Sequence, residues 1–327
     1  MIVTRTPLRV SFFGGGTDLP EYFNQRTGRC LSAAINVYMH IVINETPHKR
    51  VKACYDDIEI AETASDIKHN RIRESLLEYS VLNNIEVSSF CHIPTKGTGL
   101  GSSSSFTVGL CTALAKRNGI TPSPKELAES AYYIERVRCK ESLGKQDQYA
   151  AAYGGLNLFT FNNRETKVER VDIKPLVQQQ LENNLLFFYT GIKRNANDIL
   201  LEQAKQTSSG ANVHHLQELA NCADVGAGYL KNNEIDRFGS LLHYAWELKR
   251  QLQKNVSNFI IDDYYSKALK AGALGGKLLG AGGGGYLMFY VKPDKQEQVR
   301  KVLNLPEYKF KFSETGTEVV YENSTAY

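Results

Sequence analysis

A chain of 327 residues, 42% hydrophobic and 23% charged, has enough apolar material for packed cores and too many residues for one ordinary core. Two domains sharing a cleft are expected and intrinsic disorder is excluded. The net charge of +4, from 39 basic and 35 acidic side chains mixed along the chain, is too small an excess to argue for nucleic acid. Six cysteines without a Cys-x-x-Cys pair indicate neither zinc nor disulfides and fit a reducing cytoplasm; no signal-peptide core and no apolar run near ~18 residues points to a membrane.

The first 60 residues read as strands. Thr6 to Phe13 empties into Gly14-Gly15-Gly16-Thr17-Asp18, a turn that brings an acid and backbone N–H groups toward a polar ligand such as a sugar hydroxyl, or is simply capped by Asp18. Ile35 to Ile43 alternates apolar residues for one buried face, and Val51 to Tyr55 continues that sheet. Asp66 to Asn83 predicts a helix, and Glu86 to Ile93 a strand running into Pro94.

Gly97, Gly99 and Gly101 alternate before Ser102, Ser103, Ser104 and Ser105, between that strand and a helix with Phe106, Leu110, Ala113 and Leu114 on one face. Glycine permits tight turns and close backbone approach, and a helix start offers unpaired N–H groups at the positive dipole end. The segment predicts an anion cradle; a plain turn with a serine cap explains one glycine and one serine, not three and four. It is not a Walker A loop, because no Lys-Ser or Lys-Thr follows the last glycine at the required spacing. The next helix opens on Ser123, Pro124 and Glu126, a capping box with proline at the first position.

Arg136, Arg138, Lys140 and Lys145 form a basic cluster that reads as a solvated helix face. Glu135 and Asp147 are a carboxylate pair of the kind phosphoryl transfer needs, one for a metal and one for a hydroxyl. Strands are expected at Leu156 to Phe161 and Leu185 to Tyr189, with a domain boundary in the polar stretch from Gln178 to Asn184. The second half is helical to about Ala273, enters the strand Tyr286 to Val291 and ends in a hairpin around Gly316. Gly280 to Gly285 satisfies Gly-x-Gly-x-x-Gly but lies between helix and strand, the reverse of the dinucleotide order, and reads as a loop that packs on another loop or a substrate.

These segments together resemble the GHMP kinase superfamily of galactokinase, homoserine kinase, mevalonate kinase and phosphomevalonate kinase. Its three motifs are similar to Pro7-Leu8-Arg9 through Asp18, Pro94 through Ser105, and Lys277 through Gly285. The motifs Gly14 to Pro20, Gly144 to Tyr149 and Gly275 to Leu279 look like the D-glycero-D-manno-heptose 7-phosphate kinase branch. The resemblance implies an α+β, two-domain GHMP kinase fold: a ribosomal protein S5 domain 2-like unit over residues 1–180 and a ferredoxin-like α/β unit over 181–327.

It further implies an ATP-dependent sugar kinase acting on the C1 hydroxyl of the heptose phosphate. Asp147 and Arg9 are then the catalytic residues, and Ser103 and Glu135 the Mg²⁺ ligands. The ATP phosphates fall to Lys96, Gly97, Gly99, Leu100, Gly101, Ser102, Ser103 and Ser104. Gly15, Gly16, Thr17, Asp18, Gly282 and Gly283 fall to the substrate. The galactokinase motif has Glu-His where Gly15-Gly16 stands, which turns the expectation away from galactose. Lys193 and Arg194, after a strand end, are candidates for a substrate phosphate. The expected partner is a small sugar phosphate, with no nucleic acid or membrane, and a homodimer is allowed. Galactose, fucose or mevalonate-type kinases, a related decarboxylase and a non-catalytic sugar sensor are the competing readings.

Overall fold

The computed structural model describes residues 1–94, 97–192 and 196–323, so Lys96, Lys193 and Arg194 lie outside the described residues. Its first sheet comprises β1 (Ile2–Phe13), β2 (Gly28–Glu45), β3 (Val51–Cys54), β4 (Ile58–Ala61), β5 (Ile85–Phe90), β6 (Leu156–Phe161) and β7 (Thr166–Arg170). The second comprises β8 (Leu185–Tyr189), β9 (Ala273–Leu278), β10 (Tyr286–Val291) and β11 (Glu307–Tyr308), after which β12 (Glu318–Glu322) returns to the first. β1 runs antiparallel to β2 from Ile2 opposite Ile43 to Phe13 opposite Leu31, and the register shifts after Pro7, where a ladder donor is missing.

The helices are α1 (Pro20–Phe23), α2 (Asn70–Glu78), α3 (Ser102–Arg117), α4 (Pro124–Tyr133), α5 (Gln146–Tyr153) and α6 (Pro175–Asn184). α7 (Ala196–Ser208), α8 (Val213–Lys231), α9 (Ile235–Arg250), α10 (Phe259–Lys270) and α11 (Gln296–Leu303) follow. β2 is covered on both faces near its start: Cys30 packs with Val108 of α3 and Tyr149 of α5, while Leu31 packs with Ala223 of α8. Its first half is therefore nearly continuously buried and its second half alternates. α3 approaches β1 closely because Gly109 has no side chain; a Cβ there would sit 2.7 Å from Thr6 Oγ1.

Two expectations are corrected. The helix read over Asp66–Asn83 is confined to α2, capped by His69 and ended where Ser80 and Asn84 take positive φ. The stretch Gln178–Asn184, read as a domain boundary, lies in α6, with Val177 and Leu181 buried. No hairpin forms around Gly316, because β12 pairs with β1, Arg5 opposite Glu318, so the unit expected over 181–327 gives its last strand to the first sheet. Lys277 of β9, buried, donates to Phe12 O at 2.8 Å and so ties the second sheet to the end of β1. Burial lowers its pKa to about 7.

Candidate active site

Gly97, Gly99 and Gly101 all take left-handed φ, of 72°, 83° and 74°, the conformation only glycine adopts without strain. The alternation thereby curls the backbone into the start of α3. Gly101 itself is the N-cap and has no side-chain cap bond, so no serine spends its hydroxyl closing the helix, contrary to the simple capping reading. The first-turn N–H groups lack carbonyl partners within the helix, and Ser102, Ser103 and Ser104 line the cleft. Leu100 does not line the cleft; it is fully buried and its carbonyl accepts Arg9 N at 2.9 Å.

Opposite this cradle, α5 presents Asp147. Arg9 grips it with Nε to Oδ1 and Nη2 to Oδ2, both at 2.8 Å, and its Nη1 donates to Gly99 O at 2.6 Å. One buried guanidinium therefore fixes both the carboxylate and the phosphate loop. Asp18 shares the cleft, accepting Gly16 N at 2.9 Å and Gln146 N at 3.2 Å. Burial, reinforced by the nearby Asp147 charge, raises its pKa above the ordinary aspartate value. Gly15 and Gly16 line the same corner, but Thr17 does not: it is fully buried and its hydroxyl donates to Gly14 O and accepts Arg29 N, a turn-forming role.

α4 continues into a π-helical turn, Ile134–Arg138, closed by Cys139 N to Ile134 O at 2.8 Å. The wide turn directs Glu135 inward beneath α3. There it is fully buried and accepts from Ser104 Oγ at 2.8 Å, Thr107 Oγ1 at 2.7 Å, Arg71 Nε at 3.0 Å and Gln148 Nε2. A carboxylate and serine hydroxyls are the right donor chemistry for Mg²⁺. In this arrangement they do not fit one: both oxygens of Glu135 are occupied, its charge is met by Arg71, and Ser103 lies out on the cleft wall while Ser104 is the serine that reaches it.

The Gly280–Gly285 loop packs against the cradle. A Cβ on Gly285 would sit 2.3 Å from Thr98 O, and one on Gly99 would sit 2.3 Å from Leu279 O. Gly282 and Gly283 lie on Val256, with Gly283 N donating to Val256 O at 2.8 Å; Gly280 and Ala281 are the members that line the cleft. The basic cluster, expected as a solvated face, is instead ion-paired and in part buried: Arg136 pairs with Glu21, Arg138 with Glu74 and Lys145 with Glu129, and the Arg136 and Lys145 side chains are only 22% and 16% exposed.

Sequence reading missed Arg71, Glu141, Gln146 as a side chain, Gln203 and Lys249, all on the cleft wall. Arg71 bridges Glu135 and Glu141. Burial, with Arg71 opposing and Glu135 adding, raises the Glu141 carboxyl to about 7. Four of the five sit in no glycine-rich or motif context; Gln146, inside Gly144 to Tyr149, had a local signal.

Residues 56–155 match the family described as GHMP kinases N terminal domain and residues 227–307 that described as GHMP kinases C terminal. The D-glycero-alpha-D-manno-heptose 7-phosphate kinase of Campylobacter jejuni is 29% identical, over 97% of this chain and 98% of its own length. The crystal structure of a D-glycero-D-manno-heptose 1-phosphate kinase from Bacteroides thetaiotaomicron superimposes with a TM-score of 0.81 at 25% identity, covering 99% of this chain and 100% of that one. Lactococcus lactis galactokinase complexed with galactose shares the fold, with a TM-score of 0.76 at 16% identity over 97% of this chain and 94% of that one. No helix among the described residues is long and apolar enough to cross a membrane.

Proposed function

The chain belongs to the GHMP kinases, ATP-dependent phosphotransferases, and is a sugar kinase of two mixed helix-and-sheet domains; from this premise we propose that it transfers the γ-phosphoryl of ATP to the C1 hydroxyl of D-glycero-D-manno-heptose 7-phosphate. The observation that carries the reading is the shared cleft in which the glycine and serine cradle faces an Asp147 carboxylate clamped by Arg9. The cradle holds the triphosphate on helix-start N–H groups. Asp147 accepts the hydrogen bond of the attacking hydroxyl, aims its oxygen at the γ-phosphorus and takes its proton as the bond to phosphorus forms. In a loose transition state such positioning supplies much of the rate. Arg9 holds Asp147 in orientation, and Asp18 accepts a second sugar hydroxyl. Mg²⁺ is the metal ordinarily carried by a nucleotide triphosphate, and no step is assigned to it through Glu135.

The substrate rests on the relatives in Campylobacter and Bacteroides, whose names specify different phosphates. Among the described residues of the cleft wall the basic side chains are Arg9, Arg71 and Lys249. Each is engaged with Asp147, with Glu135 and Glu141, or with Gly280 O. Lys193 and Arg194 are accordingly proposed as the holders of a substrate phosphate. Phosphorus NMR of the product formed from heptose 7-phosphate is expected to show a new anomeric phosphate coupled to H1. A phosphate on another carbon removes the C1 assignment, and turnover only with unphosphorylated sugars removes the 7-phosphate. Asp147→Asn is expected to lower kcat by about 10³-fold or more while ATP affinity stays within about threefold; turnover near the wild-type rate would sink its assigned role.

A further inference from the structure

Two glutamines meet at the Gly15–Gly16 corner of the cleft from distant parts of the chain. Gln146 is the first residue of α5, beside Asp147, and Gln203 lies on α7; both line the cleft and both are 3% exposed. The Nε2 of each is buried with no hydrogen-bond partner among the described residues. A buried amide donor without an acceptor is destabilising, and folded proteins keep few of them. Two lining one wall of a substrate cleft call for acceptors supplied from outside the chain.

The glycines give the pair its place. A Cβ on Gly16 would lie 2.2 Å from Gln203 Nε2, so only glycine admits that amide to the corner. A Cβ on Gly15 would meet Ser11 Oγ at 3.7 Å and Gln146 Oε1 at 3.9 Å. Asp18 completes the set, since its oxygens accept the backbone N–H groups of Gly16 and Gln146. The corner thus combines a carboxylate acceptor with two neutral amide donors. A sugar hydroxyl matches it, donating to Asp18 and accepting from a glutamine. A phosphate does not, because it would meet the Asp18 charge with no cation among the described residues at this corner to offset it.

We propose that Gln146 and Gln203 are specificity-determining residues that read hydroxyls of the sugar, binding its polyol portion at the Gly15–Gly16 corner. The inference rests on the sugar-kinase reading but not on the identity of the sugar. Its test compares kcat/KM, by coupled ADP release, for D-glycero-D-manno-heptose 7-phosphate and its monodeoxy analogues in the wild type, Gln146→Met and Gln203→Met. The wild type is expected to disfavour at least one deoxy sugar by about 100-fold or more. Gln203→Met is expected to lose about 30-fold on the parent sugar, mainly in KM, and to reduce that one discrimination to within about threefold. ATP affinity and the ratios for the other deoxy sugars are expected to hold.

Gln146→Met is expected to relax a different position. Should a methionine variant fail to fold, Gln203→Glu, equal in size and lacking the donors, is expected to give the same relaxation. Discrimination ratios identical to the wild type in every variant overturn the proposal. If heptose 7-phosphate supports no turnover, the substrate reading fails separately, and the same variants are compared on deoxy forms of D-galactose or L-fucose, whichever is phosphorylated. A protein that phosphorylates none of these sugars removes both.

Discussion

Asp18 sits where a carboxylate is poorly solvated and close to a second one, Asp147, and its raised pKa records that strain. Because the folded protein holds this proton more tightly than the unfolded chain, ionising Asp18 at neutral pH works against folding. Asp18→Asn is therefore expected to raise the melting temperature at pH 7 while raising KM for the sugar about tenfold or more, the usual exchange of stability for function. A lower melting temperature would show that the Asp18 hydrogen bonds outweigh its burial. Glu141 follows the same sign. With a folded pKa of about 7 against an ordinary 4.5, its contribution is most favourable below pH 4.5 and is eroded as pH climbs through 7. Glu141→Gln removes the erosion, so the melting temperature of the variant minus that of the wild type is expected to grow from pH 5 to pH 8; parallel curves would refute it. Arg9 and Asp147 were legible in the sequence because each stands inside a short recognisable segment. Arg71 and Gln203 were not, because isolated polar residues on amphipathic helices look alike until tertiary packing turns them toward a cleft.

Among the elements, the capping box of α4 is formed as its residues foretold, with Glu126 Oε2 accepting Ser123 N at 2.7 Å and Ser123 Oγ accepting Glu126 N at 3.3 Å. Caps are local chemistry and survive the absence of a fold. The π-helical turn after α4 is not foretold, since no residue type demands the extra register and its reason is the site into which it directs Glu135. The phosphate loop stands between these cases: its glycines announced a tight anion cradle, while its contact with Leu279 required the three-dimensional chain. That contact is measurable. Gly99→Ala combines left-handed strain with a Cβ placed 2.3 Å from Leu279 O, whereas Gly119→Ala has a similar φ and nothing within 4 Å. Gly119→Ala is expected to cost about 1–2 kcal/mol. Gly99→Ala is expected to cost at least about 2 kcal/mol more and to raise KM for ATP about tenfold, read by chemical denaturation and initial rates. Equal effects at the two positions would mean that the loop yields freely.

At the scale of the molecule, two domains were legible from length and apolar content, and the second half of β2 from its alternation. The partner of the last strand was not, because Glu318–Glu322 carries no mark of a mate more than 300 residues earlier. β12 covers an edge of β1 and adds the Arg5–Glu318 pair and the Thr6–Thr317 hydroxyl contact. Deleting residues 314–327 uncovers that edge. The shortened chain is expected to melt at lower temperature and to scatter light at micromolar concentration where the full chain stays clear; a monodisperse, equally stable product would show β12 to be dispensable.

The same pairing sets a schedule for the nascent chain. The other seven strands of the first sheet are complete once Arg170 has been made, yet their last partner begins at Glu318. At roughly 5–20 residues per second, the intervening stretch of about 150 residues takes about 7–30 seconds to synthesise. Throughout that interval β1 lacks the strand that covers its edge.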